Sequence, residues 1–189
     1  MEAEQLKEAL SRKFCLPKTY FLPGNGASEL FLGILHALKP KKVILPVPSF
    51  YGYAYTAKAV GSEVVCVPLK KEEDFLPGEE LVLALQEDAE LLFLANPNNP
   101  TGKLMKPAYL ENVLEVCKEK KIYVVLDECF IEFCEKENSI VQRLSTYRNL
   151  LIVRAFTKIY AIPGVRLGYL MCSDKELLQK IRGQLPEWN

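Results

Sequence analysis

A lysine stands inside an apolar run in AFTKIYAIPGVRLGYLMC, residues 155–172, and Arg166 follows it eight residues later. Lys158 is flanked by Phe156, Thr157, Ile159 and Tyr160. An ammonium among such neighbours is expected to be poorly solvated, and poor solvation favours the neutral, nucleophilic amine. The plain alternative is a surface lysine whose stem snorkels along a loop. Two further strings carry polar groups in unusual settings. NPNNPTGK, residues 96–103, is a double-proline turn with three asparagine amides, and asparagine and proline also serve as ordinary turn formers. Asp127 ends the apolar run IYVVLD, where an unpaired carboxylate is costly and calls for a partner such as a protonated heteroaromatic nitrogen. GNGASEL, residues 24–30, opens a helical pattern. Its glycines and the N–H groups of Ala27 and Ser28 suit a phosphate at a helix N-terminus, or equally a simple serine cap.

Elements that could gather these groups are visible as periodic segments. Short apolar runs at 42–47, 63–69, 90–95, 122–127 and 149–155 predict strands. Helical patterns at 28–38, within 50–60, at 78–86, at 108–120 and at 174–182 lie between or after them, with a short apolar segment, GYLMC, before the last. This alternation predicts an α/β domain with a mostly parallel sheet and helices on both faces. Ligands in such sheets bind at the carboxyl ends of the strands. NPNNPTG, Asp127 and AFTK all fall at such ends, so an amide, a carboxylate and a lysine converge on one expected crevice. Strand ends are polar in any protein, and for each residue singly that remains an adequate account.

The composition narrows the function classes. The 189 residues carry 24 Lys plus Arg and 24 Asp plus Glu, and half are hydrophobic. One domain with a real core is expected. The basic excess of a nucleic-acid surface is missing. No run approaches a membrane span, and the acidic amphipathic start reads as neither signal nor transit peptide, so a cytoplasmic protein with no membrane partner is expected. The six cysteines form no CxxC pair and His36 is the single histidine, which argues for reduced core thiols and no metal. His36 is expected to cap or pack at a helix end. Neither a Walker loop nor GxGxxG occurs, which disfavours a nucleotide binder.

Taken together, NPNNPTG, the strand ending in Asp127-Glu128, and FTK…GVRLGY resemble, in order and separation, the class I/II aminotransferase family of fold-type I pyridoxal-phosphate enzymes. The resemblance runs from about residue 20 to the end. It implies a pyridoxal 5'-phosphate cofactor carried by Lys158, which later moves protons at the substrate carbon. It implies that Asp127 pairs with the pyridinium nitrogen, making the ring an electron sink. Asn99 matches the amide bonded to the ring's phenolic oxygen. Phe50, in PSFYGY, matches the aromatic stacked on the ring; otherwise it is a core phenylalanine. Ala27, Ser28, Thr157 and Arg166 match the phosphate site, arginine by its charge-assisted fork. Phe130 departs from the pattern, lying where many members carry a tyrosine, and Ala155 lies where a serine is common.

Within the family, TKIYAIPGVRLGYL, DECFIEF and QLPEWN resemble the threonine-phosphate decarboxylase branch, which makes the aminopropanol phosphate of cobalamin. The histidinol-phosphate aminotransferase branch is the second reading. The resemblance implies an amino acid phosphate as substrate and a homodimer with the site at the subunit interface. It further implies that residues 1–189 form the cofactor-binding large domain, apparently truncated, with the small C-terminal domain absent. A third possibility is a fragment that keeps the fold without catalysis.

Overall fold

A computed structural model describes residues 3–85 and 88–187. Five parallel strands form most of its sheet, with β3 at one edge: β2 (Lys42–Val47), β3 (Glu63–Pro68), β4 (Leu91–Ala95), β5 (Tyr123–Asp127) and β6 (Leu150–Ala155). They match the apolar runs of the sequence to within a residue or so. Two short strands, β1 (Phe21–Gly24) and β7 (Gly168–Met171), complete the sheet in the order β1-β7-β6-β5-β4-β2-β3. Both pairings of β7 are antiparallel. β1 was not expected as a strand. It has four residues including Pro23, which an edge strand tolerates because one side needs no ladder.

Helices cover both faces, as the sequence predicts. α2 (Ala27–Leu38), α3 (Tyr51–Ala59) and α7 (Lys175–Arg182) pack on one side, where Ile34, Leu35, Tyr53 and Ile181 are fully or almost fully buried. α1 (Glu4–Phe14), α4 (Glu79–Ala84) and α5 (Pro107–Glu119) pack on the other, through Leu10, Leu81, Val113 and Leu114. The helical pattern expected to Gln86 stops at Ala84, and Gln86 itself lies outside the described residues, as do Trp188 and Asn189 of QLPEWN. α1 forms because Leu6, Leu10 and Phe14 recur every four residues, with Glu4 in the first turn and Arg12 and Lys13 in the last. Each fully buried leucine in these two layers contributes about 1.5–3 kcal/mol.

Strand alternation sets which face each side chain serves. On β4, Leu91, Phe93 and Ala95 face α2 and α3, whereas Leu92 and Leu94 face α5. On β5, Val125 joins the first set and Val124 and Leu126 the second. Asp127 therefore faces α2 and α3, and Glu128, one residue on, faces the opposite layer. Ala95, Asp127 and Val153 are in register across β4, β5 and β6, so β4 and β5 finish at one level and β6 runs two residues further, to Ala155.

The cysteines differ from the expectation of core thiols: Cys117 and Cys172 are buried, Cys129 and Cys134 are half-buried, and Cys15 and Cys66 are exposed. His36 lies in the last turn of α2, at a helix end as expected, and is exposed. No helix among the described residues is long and apolar enough to cross a membrane.

Candidate functional site

A cavity of about 210 Å³ opens at the carboxyl ends of β4, β5 and β6. Ala27, Ser28, Phe50, Asn99, Asp127 and Thr157 line it, together with Lys158 and Arg166. The eight residues matched to a cofactor site from the sequence thus border one space, although they come from distant parts of the chain. Gly26, Phe31, Cys129, Phe130 and Ala155 complete the lining.

One end of the cavity gathers groups of the kind that suit an anion. Gly26, not Ser28, is the N-cap of α2, and no side chain caps the helix. The first N–H groups of this twelve-residue helix are therefore not taken by a cap, and Ser28 is exposed beside them. Gly26 has φ +79°, and a β-carbon there would stand 3.1 Å from Nη2 of Arg166. The glycine supplies both the left-handed backbone and the space the guanidinium fills. Arg166 itself takes φ +52°, an uncommon conformation for a residue with a side chain. A β-carbon on Gly168 would meet the Gly26 backbone at 2.9 Å, so β7 also lies against this turn. Buried Thr157 adds a hydroxyl to the cavity wall.

Asp127 occupies another part of the wall. Its Oδ2 accepts a hydrogen bond from the Tyr53 hydroxyl at 2.5 Å, and its Oδ1 accepts one from the Cys129 amide at 2.8 Å. Burial pushes its carboxyl above the ordinary value, while these donors pull it back. A carboxylate has about four acceptor positions, so two bonds leave capacity for a donor from the cavity. Tyr53 was missed in the sequence, where PSFYGY drew attention only to Phe50. Its signal was a tyrosine on the buried side of α3, whose hydroxyl needs a partner.

Lys158 lies in the short helix α6 (Phe156–Ile159), its Nζ 5.7 Å from the centroid of the Phe130 ring. The expected poor solvation does not hold: Lys158 is exposed. The apolar string around it is split by the helix, so its neighbours turn elsewhere. Phe156 packs on Tyr169 with ring centroids 5.2 Å apart, and Tyr160 is itself exposed.

The NPNNPTG asparagines serve different purposes. Asn96 is fully buried, and its Oδ1 accepts from the Met105 amide at 2.7 Å. The Asn98 side-chain amide donates to the Pro48 carbonyl at 3.1 Å and to Thr101 at 2.9 Å, which fixes the turn. Asn99 is the one of the three that borders the cavity. Behind the site, on the opposite face, Arg154 donates from Nε at 3.0 Å and Nη2 at 2.6 Å to Glu128 Oε2. The Ser139 hydroxyl also bonds this carboxylate, at 3.0 and 3.1 Å to its two oxygens.

These features define an α/β protein with its ligand crevice at the strand carboxyl ends, furnished with an anion cradle, a buried-edge carboxylate and a lysine. The chain belongs to the aminotransferase class I and II family, whose family model matches residues 2–188. It is 34% identical over 184 residues to a threonine-phosphate decarboxylase of Salmonella typhimurium, an alignment covering 97% of this chain and 50% of that protein. It is 39% identical over 169 residues to a histidinol-phosphate aminotransferase of Symbiobacterium thermophilum, covering 88% of this chain and 46% of the relative. Among solved structures, it superposes with a TM-score of 0.89 on the histidinol-phosphate aminotransferase of Clostridium acetobutylicum, at 34% identity, covering 98% of this chain and 55% of the other. The chain spans about half the length of the curated relatives it matches.

Proposed function

We propose that this chain is the cofactor-binding part of a pyridoxal 5'-phosphate enzyme that acts on an amino acid phosphate, with L-threonine O-3-phosphate decarboxylation as its reaction. The observation that carries the reading is the pairing, within one cavity, of an anion cradle at Gly26 and Arg166 with the strand-end carboxylate of Asp127. A cofactor with a phosphate at one end and a basic ring nitrogen at another needs both. The residues therefore fit the group.

In this reading Ala27, Ser28, Thr157 and Arg166 hold the phosphate, and Asp127 holds the ring nitrogen in its protonated form. Phe50 would pack on the ring and Asn99 would donate to its phenolic oxygen, both from the cavity wall. When bound, the cofactor supplies an electron sink for the electron pair of a bond broken at the substrate's α-carbon. Lys158 is the residue whose amine would hold the cofactor, and it would move a proton at that carbon. Phe130 supplies an apolar wall without a hydroxyl, which leaves Asn99 as the donor to the phenolic oxygen. The missing hydroxyl is a mild argument against ordinary amino transfer, and the Salmonella relative is named for a decarboxylation. A histidinol-phosphate-type aminotransferase is the second reading, supported by the 39% identity to the Symbiobacterium relative. A homodimer in the cytoplasm accompanies either reading.

Titration of the purified protein with pyridoxal phosphate tests the first part. A visible absorbance band saturating at about one equivalent per chain is expected, and no saturable band would refute it. The loaded protein, offered threonine phosphate and separately histidinol phosphate with 2-oxoglutarate, is expected to release carbon dioxide from the first. Amino transfer with no carbon dioxide would select the second reading.

A further inference from the structure

The Tyr53 side chain is held by three aromatic rings and one hydrogen bond. Its ring stacks on Phe93 with centroids 5.0 Å apart and 12° between planes. Phe31 meets it edge-on at 5.3 Å, and Phe50, which borders the cavity, meets it edge-on at 5.4 Å. A ring fixed by three aromatic contacts has little freedom in where it aims its hydroxyl. That hydroxyl ends 2.5 Å from Oδ2 of Asp127, a length typical of a donor to a charged oxygen. Burial and the adjacent carboxylate push the Tyr53 phenol well above its ordinary range, so it remains a donor throughout the working range.

We propose that Tyr53 is a positioning residue for Asp127: its hydroxyl fixes the carboxylate and keeps it ionised, so that a proton shared with a ligand's ring nitrogen stays on the ligand. The proposal rests on the pyridoxal phosphate reading of the cavity. Its logic is that of any shared proton. Burial alone favours a protonated Asp127, and a proton taken by Asp127 would be lost from the ring nitrogen, leaving a poorer electron sink. Each hydrogen bond to the ionised carboxylate opposes that transfer. The Cys129 amide supplies one from the turn after β5 and its thiol leans on the same group. Tyr53 supplies the other from α3, on the face of the sheet that Asp127 shares. Lys158 and Arg166 are the charged groups that share the cavity with Asp127. From the turn after β4, the Asn96 backbone N–H donates to the Asp127 carbonyl at 2.9 Å and leaves the carboxylate untouched. The competing account is that Asp127 merely satisfies a buried phenol, in which case the phenol affects stability and nothing else.

Tyr53→Phe separates the two accounts because it deletes one oxygen and keeps the ring packing. In the cofactor-free protein, a carboxyl ¹³C titration, with Asp127 identified by Asp127→Asn, is expected to show its midpoint rise by roughly one to two pH units in Tyr53→Phe. Replacing tyrosine by 3-fluorotyrosine, a stronger donor of the same shape, should move the midpoint down, which keeps the test available should Tyr53→Phe fold poorly. With ring-¹⁵N pyridoxal phosphate bound, the nitrogen signal should shift from the pyridinium towards the neutral position in Tyr53→Phe. An unmoved carboxyl midpoint overturns the proposal. So does a moved midpoint with an unmoved ring nitrogen. Failure of the unmutated protein to take up the cofactor overturns the cofactor reading and this proposal with it. That outcome is recognisable because the cofactor-free titration still reports the Tyr53–Asp127 coupling by itself.

Discussion

Arg166 lies so close to Gly26 that a β-carbon on the glycine would stand 3.1 Å from the guanidinium nitrogen. The two residues, remote in sequence, both adopt left-handed backbone conformations to meet at the start of α2. Gly26→Ala should cost roughly 1–2 kcal/mol from the backbone alone. In a protein of this size that lowers the melting temperature by about 2–8 °C. The added methyl also pushes Arg166 aside, so pyridoxal phosphate binding should weaken by about tenfold or more in a spectroscopic titration. Unchanged affinity would mean that the cradle is not where the phosphate goes.

Arg166→Gln removes the charge and the fork but leaves the fold intact, because the residue is exposed. Loss of a charge-assisted hydrogen bond is worth about 1.5–3 kcal/mol, or roughly 10- to 100-fold in affinity. The loss should appear with pyridoxal phosphate and not with pyridoxal, which has no phosphate. Equal losses with both ligands would assign Arg166 some other task.

Asp127 gives the protein a pH signature. Its carboxyl is raised above 3.8 in the folded state, chiefly by burial. The sign follows from linkage: the folded protein binds this proton more tightly than the unfolded chain does. The group's stabilising contribution is therefore complete below 3.8 and is lost as pH rises through the folded value. Asp127→Asn has no charge to bury. In the cofactor-free protein it should melt at or above the unmutated temperature at neutral pH, and the gap should close in acid. A variant that is less stable than the original at neutral pH would contradict this account. A site residue that costs stability is the expected price of function.

Much of the layout could be read in advance because strand and helix periods are local properties. KVILPV, ELLFLA and IYVVLD each bury nearly every position, as a strand covered on both faces must. The placement of Lys158 could not be read the same way. Its solvation depends on how α6 splits Phe156 and Tyr160 away from it, and a four-residue helix has no period to detect. β1 was hidden for a similar reason, since its partner β7 lies far along the chain. The Tyr53–Asp127 bond spans 74 residues and is set by tertiary packing alone. The opposite facing of Asp127 and Glu128, by contrast, was implicit in their adjacency at a strand end.

Glu128 and Arg154 offer a test of that opposite face. Both side chains are almost fully buried, in a pair held at 2.6 and 3.0 Å. Removing one partner leaves a buried charge, so Glu128→Ala should destabilise by about 3–5 kcal/mol in denaturant unfolding. The joint replacement Glu128→Leu, Arg154→Met should recover most of that loss, since apolar residues need no partner there. No recovery in the double variant would show that the pair supports the fold through Ser139 or other polar contacts.

In the proposed function, Lys158 is the residue that carries the cofactor. The direct measurement is to load the protein with pyridoxal phosphate, reduce it with borohydride and locate the modified lysine by peptide mass mapping. A single modification at Lys158, with no visible band in Lys158→Ala, is the predicted result. Label spread over surface lysines such as Lys103 and Lys120, or a band that survives in Lys158→Ala, would contradict it.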